Sequence, residues 1–111
     1  MKTLEFSARR ERDTVIVDVA GQILHENSPA LRKTLFESLK GTQRLAINLT
    51  RVDSIDSSGI ASLVEILKEG RKSRKRVIFF GVTGHILEVL ELTHLKGVFE
   101  IRETEAQALE A

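Results

Sequence analysis

Two serines follow an aspartate and precede a glycine in residues 56–59, which read Asp-Ser-Ser-Gly. They lie between an apolar run at residues 45–49, which predicts a strand, and a run from Ile60 whose apolar residues have helical spacing. The serines therefore fall at the amino end of a helix, where backbone N–H groups lack partners and the helix dipole favours negative charge. A phosphate there would be electrostatically favoured and would change what could dock on the loop. This placement suits a switch better than a catalyst.

Ser57 is the candidate phosphate acceptor, and Ser58 is an alternative or second acceptor. The competing interpretation is that Asp56 and the two serines only cap a helix and shape a turn. Gly59 has two interpretations as well. Its missing side chain either lets another backbone or a kinase active site come close, or simply gives the turn flexibility.

Other polar residues give weaker indications of chemistry. Asp53 and Asp56 could form a carboxylate pair, but their spacing favours a polar turn over a Mg²⁺ site. None of the three histidines has the spacing of a metal-ligand motif. A Ser-His-Asp triad can be drawn from Ser57, His85 and Asp53, but no nucleophile elbow accompanies it. We therefore expect no enzyme activity, no metal and no cofactor.

The composition limits the classes of function. The chain has 111 residues, 41% of them hydrophobic, and a net charge of +1, which fits a single domain over residues 1–111 without a general attraction to nucleic acid. The absence of cysteine excludes disulfides, a thiol nucleophile and a thiolate zinc site. No apolar signal core is present, and no segment approaches the roughly 20 apolar residues of a membrane helix. We expect a cytoplasmic protein without membrane insertion.

Periodicity predicts strands at residues 4–9, 14–20, 44–49, 77–80 and 98–101, and helices from 27–29 to Gly41, at 58–69, around 86–90 and at 103–111. Residues 27–29, Asn-Ser-Pro, predict a helix start, with a capping residue followed by Pro29 at the first helical position. Gly70 is a candidate end of the second helix. The order β-β-α-β-α-β-α-β-α predicts an α/β fold with a mixed or mostly parallel sheet covered by helices.

Residues 71–76 carry five cations around one serine. Such a run could bind an anionic surface. The simpler interpretation, which we favour, is a solvated connection whose cations offset the negative end of the preceding helix.

The order of elements, with Asp-Ser-Ser-Gly before the second helix, resembles the STAS domain of bacterial anti-sigma-factor antagonists. The resemblance covers nearly the whole chain. It is supported by residues 21–23 (Gly-Gln-Ile), 27–29 (Asn-Ser-Pro) and 90–95 (Leu-Glu-Leu-Thr-His-Leu). It implies a small sheet with helices mainly on one face.

The resemblance also implies a role for the serine loop. In that family the serine directly after the aspartate, here Ser57, is phosphorylated by a cognate anti-sigma factor that is also a serine protein kinase. The unphosphorylated form binds the kinase, the phosphorylated form lets go, and a phosphatase resets it; ATP belongs to the kinase. The partner-binding loop would then comprise Ile23, Leu24, Asp56, Ser58, Gly59 and Ile60.

One position departs from the family pattern. An acid often follows the second strand in these proteins, where this chain has Leu24. Glu26 is a nearby acid that could compensate. The departure leaves an alternative open, because stand-alone STAS domains also resemble the accessory subunit of phospholipid-transport ABC systems.

Overall fold

Five strands form one mixed sheet, within residues 4–82 and 84–111, the part of the chain that the computed structural model describes. The elements in chain order are β1 (Leu4–Glu11), β2 (Thr14–Ile23), α1 (Ser28–Lys40), β3 (Arg44–Ile55), α2 (Ser57–Lys72), β4 (Arg76–Phe80), α3 (Gly84–Leu92), a 3-10 turn (Lys96–Val98), β5 (Ile101–Arg102) and α4 (Glu105–Glu110). The strand order in the sheet is β1-β2-β3-β4-β5. The first pair is antiparallel and the others are parallel. The predicted α/β class and element order are confirmed.

The two faces of the sheet are covered unequally. The main core packs α1, α2 and α3 against side chains such as Val17, Ile47 and Phe79, which are fully buried. The opposite face carries a smaller cluster in which Ala108 of α4 packs among Ile16, Ala46, Ile78 and Phe80. Helices therefore lie mainly on one face, as the resemblance implied, and of the described helices only the short α4 covers part of the other face.

The strand that leads to the serine loop is longer than predicted. β3 continues to Ile55, where residues 44–49 were expected, because it stays paired with β2 through two register shifts. Its last residues Val52 and Ile55 are buried, and Ile55 lies opposite Ile23 at the end of β2. This extension carries the serine loop to the carboxyl-terminal edge of the parallel strands.

The predictions for Gly70 and for the last strand also differ from the structure. Gly70 does not end α2; it is buried inside the helix, where an added Cβ would lie 2.6 Å from Cγ2 of Val77. Helix and strand approach closely at this glycine, so it serves packing rather than termination. The strand expected at 98–101 reduces to Ile101–Arg102, because a 3-10 turn precedes it and Phe99 turns inward to contact Phe79, with ring centroids 4.7 Å apart.

Candidate functional site

Ser57 is the first residue of α2, and it is exposed. The loop that bears it is tied to the neighbouring strand, since the Asp56 N–H donates to the carbonyl of Ile23 at 3.1 Å. The backbone N–H of Ile60 donates to the Asp56 carbonyl at 3.0 Å, which closes the first turn of the helix. The Ser57 hydroxyl is therefore accessible to solvent on a firmly placed helix start.

Asp56 connects two segments of the chain through its carboxylate. One oxygen accepts from the Gly59 N–H at 3.0 Å, which is an N-cap bond, and the other accepts from the His25 N–H at 2.8 Å. The Gly59 bond is the main reason that the pKa of Asp56 lies below its ordinary value, with the His25 N–H adding to the effect and burial opposing it. The ionised carboxylate thus holds the serine loop against the loop that follows β2.

The two aspartates near the serine loop have different surroundings. Within residues 4–82 and 84–111, no group of three or more His, Asp or Glu side chains is placed to hold an ion. Asp53 is exposed on β3, whereas Asp56 is committed to backbone N–H groups. The structure therefore gives Asp56 a capping role.

The loop of residues 24–27 is shaped by Asn27. Its side-chain oxygen accepts from the Leu24 N–H at 2.8 Å, and its amide nitrogen donates to the Gln22 carbonyl at 2.9 Å. Asn27 occupies the N-cap position of α1 but makes no side-chain cap bond, and Pro29 is the second helical residue rather than the first. The predicted helix start is thus in the right place, but its asparagine bonds backward and sets the loop beside Ser57.

His25 is a site residue to which the sequence pattern assigned no role. Its ring Nδ1 lies 3.4 Å from the hydroxyl of Ser58, and the side chain is exposed. Ser58 itself is half-buried. The signal for His25 was its place in the loop after β2, one residue beyond the position where the family often has an acid. Nothing local in the sequence indicated that this loop would bond to residues 31 to 33 positions away.

The residues predicted to form a partner-binding loop divide into two layers. Ile23, Gly59 and Ile60 are buried, so they support the loop from inside in this conformation. Leu24, Asp56 and Ser58 are half-buried and form part of the surface around Ser57. Between the two interpretations of Gly59, the structure favours close approach, and the approaching group is this chain's own β2.

The basic run of residues 71–76 lies at the opposite edge of the sheet, where β4 begins. Lys75 Nζ donates to the Leu39 carbonyl at 2.6 Å at the end of α1, and Arg76 forms an ion pair with Glu100. At least these two cations have structural partners. The segment thus acts as a connection: Arg71 and Lys72 lie in the last turn of α2, as that interpretation expects, and Lys75 in addition caps the end of α1.

The family model of the STAS domain matches residues 5–108. The chain therefore belongs to the STAS domain family. An anti-sigma-B factor antagonist from Listeria monocytogenes is 31% identical over 101 residues, which cover 88% of this chain and 89% of that protein. The name of this relative is that of a regulatory protein. None of the described helices could cross a membrane, because each is too short or too polar.

Solved structures share the fold. An anti-sigma factor antagonist from Mycobacterium paratuberculosis superposes with a TM-score of 0.87 at 20% identity, covering 96% of this chain and 92% of its own. The Bacillus cell fate determinant SpoIIAA in its phosphorylated form gives a TM-score of 0.73 at 20% identity, with coverage of 96% and 97%. These likenesses establish the architecture on which the serine loop is placed.

Proposed function

We propose that this chain is a phosphorylation-controlled protein-binding switch of the anti-sigma-factor antagonist kind. The unphosphorylated form binds an anti-sigma factor that is also a serine protein kinase, and phosphorylation of Ser57 releases it. The observation that carries this proposal is the exposed Ser57 at the first position of α2. The likeness to the Listeria antagonist supplies the partner class.

The charge change supplies a mechanism for release. A phosphoserine carries about −1.5 to −2 charges at pH 7. It would stand directly after the ionised Asp56 and close to the half-buried Leu24. A partner that covers this surface must desolvate or pair the dianion, which costs several kcal/mol unless the partner supplies cations. Phosphorylation therefore weakens docking without needing to unfold the loop.

The remaining components act from outside the chain. The kinase brings ATP, and a phosphatase returns the switch to its binding form. The chain itself needs no cofactor in this scheme. That SpoIIAA has been solved in a phosphorylated form supports modification as a property compatible with the fold.

The direct test is incubation of the chain with the candidate kinase and ATP, followed by mass spectrometry. Phosphate should appear on Ser57, and Ser57→Ala should abolish incorporation while Ser58→Ala retains it. Undiminished incorporation in Ser57→Ala would overturn the assignment of the acceptor.

A binding measurement separates charge from shape. By calorimetry, Ser57→Asp should weaken kinase binding by at least about tenfold, which is about 1.4 kcal/mol. Ser57→Asn has a similar size without the charge and should bind nearly as the unsubstituted chain does. Equal effects of the two substitutions would contradict an electrostatic release.

The alternative function is an accessory subunit of a phospholipid-transport ABC system. Leu24 in place of the family's acid favours it, since a half-buried apolar residue beside the serine loop suits a permanent contact. Co-purification from native cells distinguishes the two: a permease and an ATPase support the transporter, whereas a kinase supports the switch.

A further inference from the structure

His25 is held beside the serine pair at two points. Its backbone N–H donates to Asp56 at 2.8 Å, and its ring Nδ1 lies 3.4 Å from the Ser58 hydroxyl. The backbone of His25 is thereby tied to the serine loop, and its exposed ring lies beside Ser58. The imidazole therefore lies on the same exposed surface as Ser57.

Two acidic side chains, those of Asp56 and Glu26, lie near the His25 ring or beside it in the chain. Asp56, at the turn between β3 and α2, faces it with a carboxylate, and Glu26 is the exposed acid beside it in its own loop. Leu24, on its other side, is neutral. Among the described residues, no lysine or arginine forms an ion pair or hydrogen bond with Asp56, Ser57 or Ser58. A phosphate in this loop would thus meet an acid, with His25 as the nearby group that can become a cation.

We propose that His25 is a positioning residue for a phosphate on Ser57, donating from its protonated ring to a phosphoryl oxygen and offsetting the charge of Asp56. This inference rests on the proposed function. The ring already reaches Ser58, and Ser57 precedes it with a Cα atom about 3.8 Å away, so a phosphate on Ser57 would lie in the neighbourhood of the ring.

The test uses the full chain with phosphoserine genetically encoded at position 57, titrated by ³¹P NMR. A neighbouring cation favours the phosphate dianion and lowers the midpoint of its second ionisation, ordinarily near pH 6. His25→Asn should raise that midpoint by about half a pH unit or more, whereas His25→Lys, which keeps a cation, should hold it low. His94→Asn is the matched control, because His94 is exposed in another segment and adopts a left-handed conformation that asparagine tolerates.

A midpoint that is the same in His25→Asn and in the unsubstituted chain overturns the inference. Amide spectra of each variant verify that the fold is retained, which is expected because His25 is exposed and its backbone bond to Asp56 survives substitution. Encoding the phosphoserine makes the result independent of any kinase. Failure of a kinase to modify Ser57 would therefore count against the proposed function alone, and an insensitive ³¹P titration against His25 alone.

Discussion

A Cβ atom placed on Gly59 would lie 2.7 Å from Cγ2 of Ile23 and 3.0 Å from the Ile23 carbonyl oxygen. The amino end of α2 is thus pressed against the end of β2 at a distance that only glycine permits. On the other side, the same Cβ would lie 2.5 Å from Cγ1 of Ile55. The exposed position of Ser57 depends on this contact, because it sets where the helix begins.

Gly59→Ala should destabilise the protein by about 1–3 kcal/mol, the usual cost of inserting a methyl group into a packed contact. The better helix propensity of alanine, worth at most about 1 kcal/mol, should not compensate. Denaturant unfolding measures the change. Gly41→Ala is the control, since its Cβ would meet only the Ser38 carbonyl oxygen at 3.7 Å and its φ of −89° suits any residue. Equal losses in both variants would contradict the close approach at Gly59.

Asp56→Asn should lower the free energy of unfolding by about 1 kcal/mol at pH 7, because an amide can accept from only one of the two N–H groups that the carboxylate holds. The pKa of Asp56 in the folded protein lies below its ordinary 3.8. The ionised carboxylate therefore contributes stability that is fully present above pH 3.8 and is lost as the pH falls through the lower folded-state value.

The loss of unfolding free energy caused by Asp56→Asn should therefore become smaller as the pH is lowered from about 5 toward 2. Denaturant unfolding of both proteins at each pH measures this difference. Asp53→Asn, at an exposed position on β3, is the comparison and should change little at pH 7. A deficit that stays constant across this range would show that the charge of Asp56 does not stabilise the loop.

Glu105→Gln should weaken the attachment of α4 to the sheet. Arg9 bonds Asp18 at 2.7 Å and Glu105 at 2.6 Å, and so ties this six-residue helix to the sheet. Because these side chains are about one-third exposed, the loss should be about 0.5–1 kcal/mol. It should appear as roughly two- to fivefold faster amide exchange at Ala108. Glu110→Gln, an exposed acid of the same helix, should leave that exchange unchanged.

Lys75→Met should cost about 1–2 kcal/mol by removing a charged donor from the Leu39 carbonyl at the end of α1. Thermal or denaturant unfolding measures it. Lys72→Met is the matched control in the same basic run, at an exposed position, and should be nearly neutral. Equal effects of the two substitutions on stability would show that Lys75 does not stabilise the end of α1.

Features that depend on neighbours along the chain could be predicted from the amino-acid sequence. The spacing of Ile60, Leu63 and Leu67 predicted α2, and all three side chains are buried in the core. Helix capping by Asp56 was the competing interpretation of residues 56–59, and Asp56 does cap α2 through Gly59, three residues away. Such patterns can be read in advance because a helical turn or an N-cap brings together residues only three or four positions apart.

Which distant segments meet at the site depends on the tertiary fold. It placed His25 against Asp56 and Ser58, buried Ile23 beneath Gly59, and carried α2 past Gly70 because Val77 packs there. These outcomes depend on how β2, β3 and β4 align in the sheet. Strand register is a property of the assembled sheet, so no local pattern contains it.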